Sequence, residues 1–396
     1  MKILIATDTY YPSVNGAAYF TYRLANCLKD RGHEIYIMCP SMQFKNTISN
    51  EAGVIVYGIR SIYLPVYQNF RFSPLFLSKK YIKDSIIKIS PDIIHIQNHF
   101  MIGKGAALFS KKLGIPVIGT NHFMPENLIH FLHLPKFAES WLINFGWKQC
   151  IDIFKELNLV TAPTKTAANL FKKAGFNKEV TPISNGIDLN IFKSSNDGEY
   201  LKEKYKLPIN IPILLFVGRM DKEKKVDEIL FAMSKIIKTK DAHLVLAGKG
   251  KEKHNLEMLT KKLNLDKHVT FTGFIPDIDL PNLYNVADLF VIAGIAELQS
   301  IVTMEAMASG LPIVAVNAVA LPELVHDGVN GYLFTAGDCE DLANKILIII
   351  SNNKMSAQMS KESLEIIKNH DLNIIINKYV SIYNKVIDSH VQNTLV

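Results

Sequence analysis

Two carboxylates eight positions apart give the clearest chemical signal in this chain. Glu297 and Glu305 lie in DLFVIAGIAELQSIVTMEAMASGLPIVAV, where Leu289–Ala293 is an apolar run of strand length and Ile301–Ser309 has the pattern of a helix. A parallel strand-loop-helix unit places such a loop at the carboxyl edge of its sheet, where a diphosphate can sit at the helix N-terminus. Carboxylates there could accept hydrogen bonds from sugar hydroxyls. The alternative is that both glutamates are solvated surface residues, as most glutamates are.

Two cations follow another expected strand, Ile213–Val217. Arg219 and Lys224 lie in VGRMDKEKK. An Arg fork together with a Lys point charge suits a diphosphate leaving group, whose negative charge grows in the transition state. The alternative is local ion pairing with Asp221 and Glu223, which contributes little at a protein surface.

Further candidates lie at the ends of expected strands in the first half. His122 follows Pro116–Thr120 in GTNHFMPENL, and His99 follows a strand that ends in IIHIQNHF. A lone histidine is more often structural than catalytic, but a position at the carboxyl edge favours a site. Gly16, in the turn after the first strand, allows close approach of a ligand to the backbone, although a single glycine turn is weak support.

Taken together, these motifs resemble the family 4 retaining glycosyltransferases of the two-domain GT-B fold. The match rests on Glu-x7-Glu followed by AMASGLPIVA, on Gly-Arg-x4-Lys and on TNH. The resemblance implies that Glu305 holds the nucleotide ribose, that Glu297 lies near the transferred sugar and that His122 contacts that sugar or the reacting centre. It implies a donor site made of Gly16, Asn185, Arg219, Lys224, Gln299, Ser300, Ile301 and Glu305, and a catalytic set of Glu297, His122, Arg219 and Lys224.

The resemblance also implies that no metal and no other cofactor is required, because the two cations stabilise the diphosphate. The sequence Asp277-Ile278-Asp279 spells the DxD motif that metal-dependent glycosyltransferases of a different fold use. In this context it is interpreted as a solvated turn. Leu298 departs from the small residue that is usual after the first Glu, which affects how the backbone donors of that loop are placed.

The elements that must position these residues form two alternating series of strands and helices. Strands are expected at Lys2–Ala6, Glu34–Cys39, Val54–Tyr57, Asp92–Ile96, Pro116–Thr120 and Leu159–Ala162, and then at Ile213–Val217, His243–Ala247, Val269–Thr272, Leu289–Ile292 and Ile313–Val316. The predicted fold is therefore α/β, with two doubly wound Rossmann-like domains whose parallel sheets face a cleft. We expect an acceptor-binding domain over 1–193, a polar linker over 193–204 and a nucleotide-sugar-binding domain over 205–370. The resembled fold implies that a last helix, 371–389, returns to the first domain.

Composition limits the classes of partner. The 396 residues are 48% hydrophobic and 20% charged, as in an ordinary soluble protein. Residues 1–193 carry 22 Lys and Arg against 12 Asp and Glu, a net +10, whereas 194–396 carry 22 against 25, a net −3. No nucleic-acid-binding signature accompanies the basic half, so an anionic membrane surface fits better. Four cysteines without a CxxC pair favour reduced thiols, and the absence of a signal-peptide pattern favours the cytoplasm.

Two segments of the basic half have the character of membrane-surface helices. Residues 71–89 combine three lysines on one helical face with isoleucines on another, and residues 133–157 hold Trp141 and Trp147. Ordinary helices packed on a sheet are the alternative. Leu298-Gln299-Ser300 and TNHFMPEN further resemble the branch of the family that glycosylates lipids.

The resulting expectation is transfer of a hexose from UDP-glucose or UDP-galactose to a membrane lipid such as 1,2-diacylglycerol, on the inner face of the cell membrane. His99 and Trp141 are candidate acceptor-site residues. Alternatives are a lipopolysaccharide or soluble saccharide acceptor with a UDP- or GDP-hexose donor, a nucleotide-sugar 2-epimerase of the same architecture, and an inactive nucleotide-sugar-binding protein.

Overall fold

The computed structural model describes residues 1–13, 15–63, 71–126 and 136–395. Residue 14 of the first turn, the end of the TNHFMPEN motif and the start of the segment 133–157 lie outside these ranges. By internal packing the chain divides into two units, Met1–Asn185 with Asn373–Val396, and Gly186–Leu372.

The first unit is built on an eight-stranded sheet. Its strands, in the spatial order β10-β9-β8-β7-β1-β2-β4-β3, are parallel except for the antiparallel pair β3 and β4. The bounds are β1 Lys2–Ala6, β2 Glu34–Pro40, β3 Thr47–Glu51, β4 Val54–Ile59, β7 Ile93–Ile96, β8 Val117–Thr120, β9 Leu159–Ala162 and β10 Val180–Pro182, with a separate pair formed by β5 Ile62–Tyr63 and β6 Arg71–Phe72. The central strands read as continuous apolar runs because helices cover a parallel sheet on both faces.

The helices of this unit are α1 Gly16–Asp30, α2 Leu75–Ile89, α3 Met101–Leu113, α4 Lys136–Phe154, α5 Lys165–Lys173 and the C-terminal α13 Leu372–Leu395. Strand β3 has no counterpart among the expected strands. Its residues TISNE are almost entirely exposed on the edge of the sheet, so they carry no apolar alternation. The parallel order predicted for the first sheet is therefore interrupted at this edge.

The second unit has a six-stranded, fully parallel sheet in the order β13-β12-β11-β14-β15-β16. Its strands are β11 Ile213–Val217, β12 His243–Ala247, β13 Val269–Gly273, β14 Leu289–Ile292, β15 Ile313–Val316 and β16 Gly331–Phe334, and its helices are α6 Glu199–Tyr205, α7 Val226–Ile236, α8 Lys253–Lys262, α9 Leu280–Tyr284, α10 Ile301–Ala308, α11 Cys339–Ile350 and α12 Asn353–Ile367. The buried core is formed by these strands and the apolar faces of the helices.

The polar stretch 193–204 packs within the second unit. Gly198 lies so close to helix α9 that a Cβ there would fall 2.4 Å from the Asn282 carbonyl oxygen. The Asn285 side-chain amide donates to the Lys193 carbonyl at 3.1 Å. The chain passes from the first unit to the second between Asn185 and Gly186, and returns between Leu372 and Asn373.

Candidate active site

In the second sheet, the strand order reverses beside β11. The chain proceeds from β11 outward through β12 and β13, and then returns to place β14 on the other side of β11. Open α/β sheets bind ligands outside the carboxyl ends of the strands at such a switch point. Arg219 and Lys224 follow β11 and Glu297 follows β14, so all three side chains start from this point.

Glycines fix the backbone that carries Arg219. A Cβ on Gly248 would fall 1.9 Å from the Gly218 carbonyl oxygen, and a Cβ on Gly250 would fall 2.2 Å from that of Met220. The Met220 amide donates to the Lys249 carbonyl at 2.9 Å. The loop after β12 therefore supports the loop after β11 by direct backbone contact. These two glycines were not among the predicted residues, although the letters GKG directly after the expected strand His243–Ala247 could have indicated them.

Arg219 is held by the two carboxylates that the sequence offered as local partners. Its Nη1 lies 2.6 Å from Asp221 Oδ2, and its Nη2 lies 3.0 Å from Glu223 Oε1. Both carboxylates are buried, and Asp221 Oδ1 also accepts from the Lys251 amide at 3.0 Å. The guanidinium is thus fixed in orientation by side chains from its own loop.

Lys224 is paired with the first glutamate of the Glu-x7-Glu motif. Lys224 Nζ lies 2.5 Å from Glu297 Oε1, across 73 positions of sequence. Gly294 lies beside this pair, since a Cβ on it would fall 3.2 Å from Glu297 Oε1 and 3.4 Å from Lys224 Cδ. The structure therefore brings together one predicted cation and one predicted carboxylate at the switch point.

Glu305, the second glutamate of the Glu-x7-Glu motif, is more deeply buried than Glu297. Glu305 is buried in helix α10, and the Tyr284 hydroxyl donates to its Oε2 at 2.9 Å. Ser300 is the N-cap of the same helix, and its Oγ accepts from the Thr303 amide at 3.3 Å. Gln299 and Ser300 are buried and Ile301 is half-buried. An anion at the start of α10 would face the backbone amides of this helix, whose fifth residue is Glu305.

The Asp277-Ile278-Asp279 turn is engaged in contacts of its own. Asp279 accepts from the Tyr200 hydroxyl at 2.7 Å and forms a 2.8 Å ion pair with Lys204. Lys204 and Tyr200 hold the pKa of Asp279 below its usual value, chiefly through these hydrogen bonds. The segment is a turn with Asp277 exposed, as expected, but Asp279 is a structural partner and not a solvated carboxylate. Among the described residues, no group of three or more His, Cys, Asp or Glu side chains is arranged to hold a metal ion.

In the first unit, His122 follows β8 at the carboxyl edge of the sheet. Its Nε2 lies 2.9 Å from Gln97 Oε1, and its ring packs against Phe20 with centroids 5.0 Å apart. An amide oxygen accepts, so Nε2 carries the hydrogen and Nδ1 is the acceptor. Burial lowers the pKa of His122 to about 3, which keeps the imidazole neutral. Gln97 was not predicted, although it directly follows β7.

The other histidines of this edge have different surroundings. His95 is fully buried between Tyr383 of helix α13, 2.8 Å from its Nδ1, and Thr120, 2.7 Å from its Nε2. His99 is buried against Phe100 and Phe123, and desolvation by burial lowers its pKa to about 4. These contacts make His95 a structural link from the sheet to the C-terminal helix.

A buried carboxylate that the sequence reading missed organises the switch point of the first sheet. Asp8, after β1, accepts from the amides of Ile102 and Gly103 at 3.0 and 3.3 Å, at the N-terminus of α3. Burial raises its pKa to about 6, against the lowering effect of these two hydrogen bonds. A carboxylate two positions after the end of the first strand was the available signal.

The remaining predicted residues of the first unit lie as follows. Gly16 begins helix α1, whose N-cap is Asn15, with the Asn15 side chain accepting from the Ala18 amide at 2.9 Å. Asn185 is buried at the end of the unit. Trp141 is exposed on α4 and stacked on Phe145, with ring centroids 5.4 Å apart.

Comparison with known proteins agrees with this geometry. The model of the glycosyl transferases group 1 matches residues 198–365, and that of glycosyltransferase family 4 matches residues 14–191. The structure of sucrose-phosphate synthase from Thermosynechococcus elongatus superposes with a TM-score of 0.82 at 18% identity, covering 98% of this chain and 100% of that one. The fold is therefore that of the GT-B glycosyltransferases, and this confirms the predicted fold class.

Two known proteins are similar to this chain along most of its length. The chain is 26% identical over 370 residues to the alpha-monoglucosyldiacylglycerol synthase of Acholeplasma laidlawii, covering 92% of each. It is 28% identical over 373 residues to the protein of the same name from Streptococcus pneumoniae strain R6, covering 92% of this chain and 82% of that protein. The chain belongs to the family 4 glycosyltransferases and is similar to their diacylglycerol glycosyltransferase branch, which confirms the resemblance seen in the sequence. Over the described residues, no helix is long and apolar enough to cross a membrane.

Proposed function

We propose that this enzyme transfers a hexose, glucose or galactose, from a UDP-sugar to 1,2-diacylglycerol, with retention of the anomeric configuration and without a metal ion. The observation that carries the proposal is the similarity, across 92% of both chains, to a protein named for the synthesis of monoglucosyldiacylglycerol. The site in the second unit supports it, because cations and a helix N-terminus meet carboxylates at one sheet edge.

In this proposal the second unit binds the donor. Glu305 accepts hydrogen bonds from the ribose hydroxyls, and the amides at Gln299, Ser300 and Ile301 bind the diphosphate at the start of α10. Arg219, fixed by Asp221 and Glu223, and Lys224 stabilise the charge that develops on the leaving diphosphate. The Arg219 guanidinium and Lys224 ammonium supply the positive charge that a metal ion supplies in other enzymes, so no metal is required.

The proposed reaction breaks one bond at the anomeric carbon and forms one there, and it needs no external base to take up the proton of the acceptor hydroxyl. The bond between the anomeric carbon and the diphosphate oxygen breaks, and the acceptor hydroxyl oxygen forms a bond to that carbon on the same face. The hydroxyl proton passes to the leaving phosphate oxygen. The Glu297 carboxylate accepts hydrogen bonds from the sugar hydroxyls. Neutral His122 is assigned to the sugar or the reacting centre, and Gly16 and Asn185 are assigned to donor binding.

The outward face of α2 supports a membrane acceptor. The helix packs on α3 and β4 through one face and leaves the other exposed. Its buried apolar residues are Ile82, Ile86 and Ile89, and its exposed residues include Phe76, Lys79, Lys80 and Lys83. A helix with lysines and an aromatic ring on its outer face suits an anionic bilayer, and the net charge of +10 on residues 1–193 has the same sign. We place the enzyme on the cytoplasmic face, where anionic lipids are concentrated.

The test is a donor panel against defined vesicles. Purified enzyme is incubated with labelled UDP-glucose, UDP-galactose, UDP-N-acetylglucosamine and GDP-mannose, and with vesicles that contain diacylglycerol and anionic phospholipid, with and without EDTA. We expect an EDTA-insensitive α-linked monohexosyldiacylglycerol from one UDP-hexose, identified by thin-layer chromatography and NMR. Transfer only to soluble saccharides, release of a free epimerised sugar, or donor binding without turnover would each contradict the proposal.

A further inference from the structure

A pocket in the first unit lies beside the turn that leads to Gly16. It occupies about 370 Å³ at the carboxyl ends of β1 and β2, runs along β3 and β4, and extends to the first residue of β6. This volume is within the range of small-molecule sites, roughly 300–1,000 Å³. The lining residues that the structure describes all belong to residues 8–71, within the first unit.

The floor of the pocket is polar and held in place by hydrogen bonds. The Ser61 hydroxyl donates to the Ser41 carbonyl at 2.5 Å, and Arg71 Nε donates to Ser61 Oγ at 2.7 Å. Ser41 Oγ and Thr47 Oγ1 lie 3.4 Å apart. Ser41, Thr47 and Arg71 line the pocket, so hydroxyl and guanidinium groups are preorganised at its base.

The mouth of the pocket combines three large apolar side chains with the polar residues Gln43, Ser49 and Glu51. Tyr11, Met42 and Ile48 line it, and their side chains are 49%, 59% and 55% exposed. Large apolar side chains that are half-exposed around a polar floor match a ligand with a polar end and hydrocarbon chains that leave through the mouth.

The charges of the lining favour an uncharged ligand. Among the described lining residues, Arg71 is the cation, and Asp8 and Glu51 are the carboxylates. Asp8 is engaged with the α3 amides, and Glu51 lies on the exposed strand β3. An anionic headgroup would be attracted by one cation and repelled by two carboxylates. The hydroxyl and ester oxygens of a neutral ligand can instead form hydrogen bonds with Ser41, Thr47 and Arg71.

We propose that this pocket is the acceptor site, which binds the glycerol end of a neutral diacylglycerol between Ser41, Thr47 and Arg71 while the acyl chains cross Tyr11, Met42 and Ile48. The inference rests on the proposed lipid acceptor and adds its position. It places the acceptor beside the Gly16 turn, with a described lining that includes neither His99 nor Trp141, the two acceptor-site residues expected from the sequence.

The test measures acceptor kinetics in a double variant, Met42→Asp with Ile48→Asp. Both positions are exposed, so folding is expected to be preserved, and circular dichroism checks this. A dispersed short-chain diacylglycerol is used below its micelle concentration, which separates the pocket from general membrane attachment. We expect the KM for this acceptor to rise at least tenfold, while the dissociation constant for the UDP-sugar stays within twofold. The matched control is Ile209→Asp with Ile278→Asp, which changes two apolar residues of the second unit that are 80% and 83% exposed.

A photoreactive diacylglycerol with a diazirine in one acyl chain provides an independent readout. We expect crosslinks on peptides that contain Met42 or Ile48. An unchanged KM in the double variant, or crosslinks confined to α2 or α4, would overturn the pocket while the lipid acceptor stands. A wild-type enzyme that does not glycosylate diacylglycerol would overturn the proposed function itself, so the two failures are distinguishable.

Discussion

Replacing Lys224 with Ala tests the proposed stabilisation of the leaving group. In the structure the Lys224 ammonium is 2.5 Å from Glu297, and the two side chains are only 19% and 14% exposed. At an effective dielectric constant of about 20, a unit charge about 4 Å from a phosphate oxygen contributes roughly 4 kcal/mol. Loss of one preorganised group of this kind lowers kcat by about 10²–10³. We therefore expect the transfer rate of Lys224→Ala to fall by about 10²–10³.

The same substitution also affects folding, and the two effects are separable. Without Lys224, the partly buried Glu297 carboxylate loses its charged partner, which lowers the free energy of unfolding by about 1–3 kcal/mol. Adding Glu297→Gln removes the unpaired charge. The double variant should recover most of the lost stability but none of the lost activity, because the cation for the diphosphate is still absent.

The assay combines transfer of labelled hexose to diacylglycerol, donor titration and urea unfolding. The matched control is Lys225→Ala, since Lys225 is the next residue, is 32% exposed and is 3.9 Å from Glu228. Its transfer rate should stay within threefold of the wild type. The reasoning is refuted if Lys224→Ala retains wild-type transfer, or if Lys225→Ala is equally damaging.

Three further outcomes are expected. Tyr383→Phe leaves His95 Nδ1 without its 2.8 Å partner in a fully buried setting and should lower the free energy of unfolding by about 1–3 kcal/mol, measured in urea. Burial lowers the pKa of His95 to about 3, whereas in an unfolded chain it is about 6.5, so its contribution to stability is complete above pH 6.5 and is lost progressively as the pH falls toward 3. By pH 5 this amounts to about 2 kcal/mol, and urea unfolding of His95→Gln should show a correspondingly smaller fall between pH 7 and pH 5. Changing Lys79, Lys80 and Lys83 together to Gln should weaken binding to anionic vesicles by about 1 kcal/mol per lysine, measured by co-sedimentation. In 0.5 M salt the difference from the wild type should disappear. Vesicle binding that responds neither to the substitutions nor to salt would contradict the assignment of this face of α2 to the membrane.

Most of the strand framework could be predicted from the sequence. The buried parallel strands, such as Ile213–Val217 and Leu289–Ile292, have uninterrupted apolar runs because both faces of the sheet are covered. The edge strand Thr47–Glu51 could not be predicted, because its residues are exposed and therefore carry no apolar pattern.

The sequence by itself determined which residue types follow which strands. Arg219 and Lys224 after β11, Glu297 after β14 and His122 after β8 could all be located from motif spacing and strand length. Their motifs also indicated the glycosyltransferase family, because the order of charges along each loop is a local property.

Only the tertiary structure decided which of these groups meet. Lys224 and Glu297 are 73 positions apart and come together because β11 and β14 are neighbours in the sheet. The tertiary structure also separated the histidines, since His95 is enclosed by Tyr383, 288 positions away, whereas His122 is at the sheet edge beside Gln97. The physical reason is that strand order and helix packing set these distances and burials, and both depend on contacts between segments that are remote in the chain.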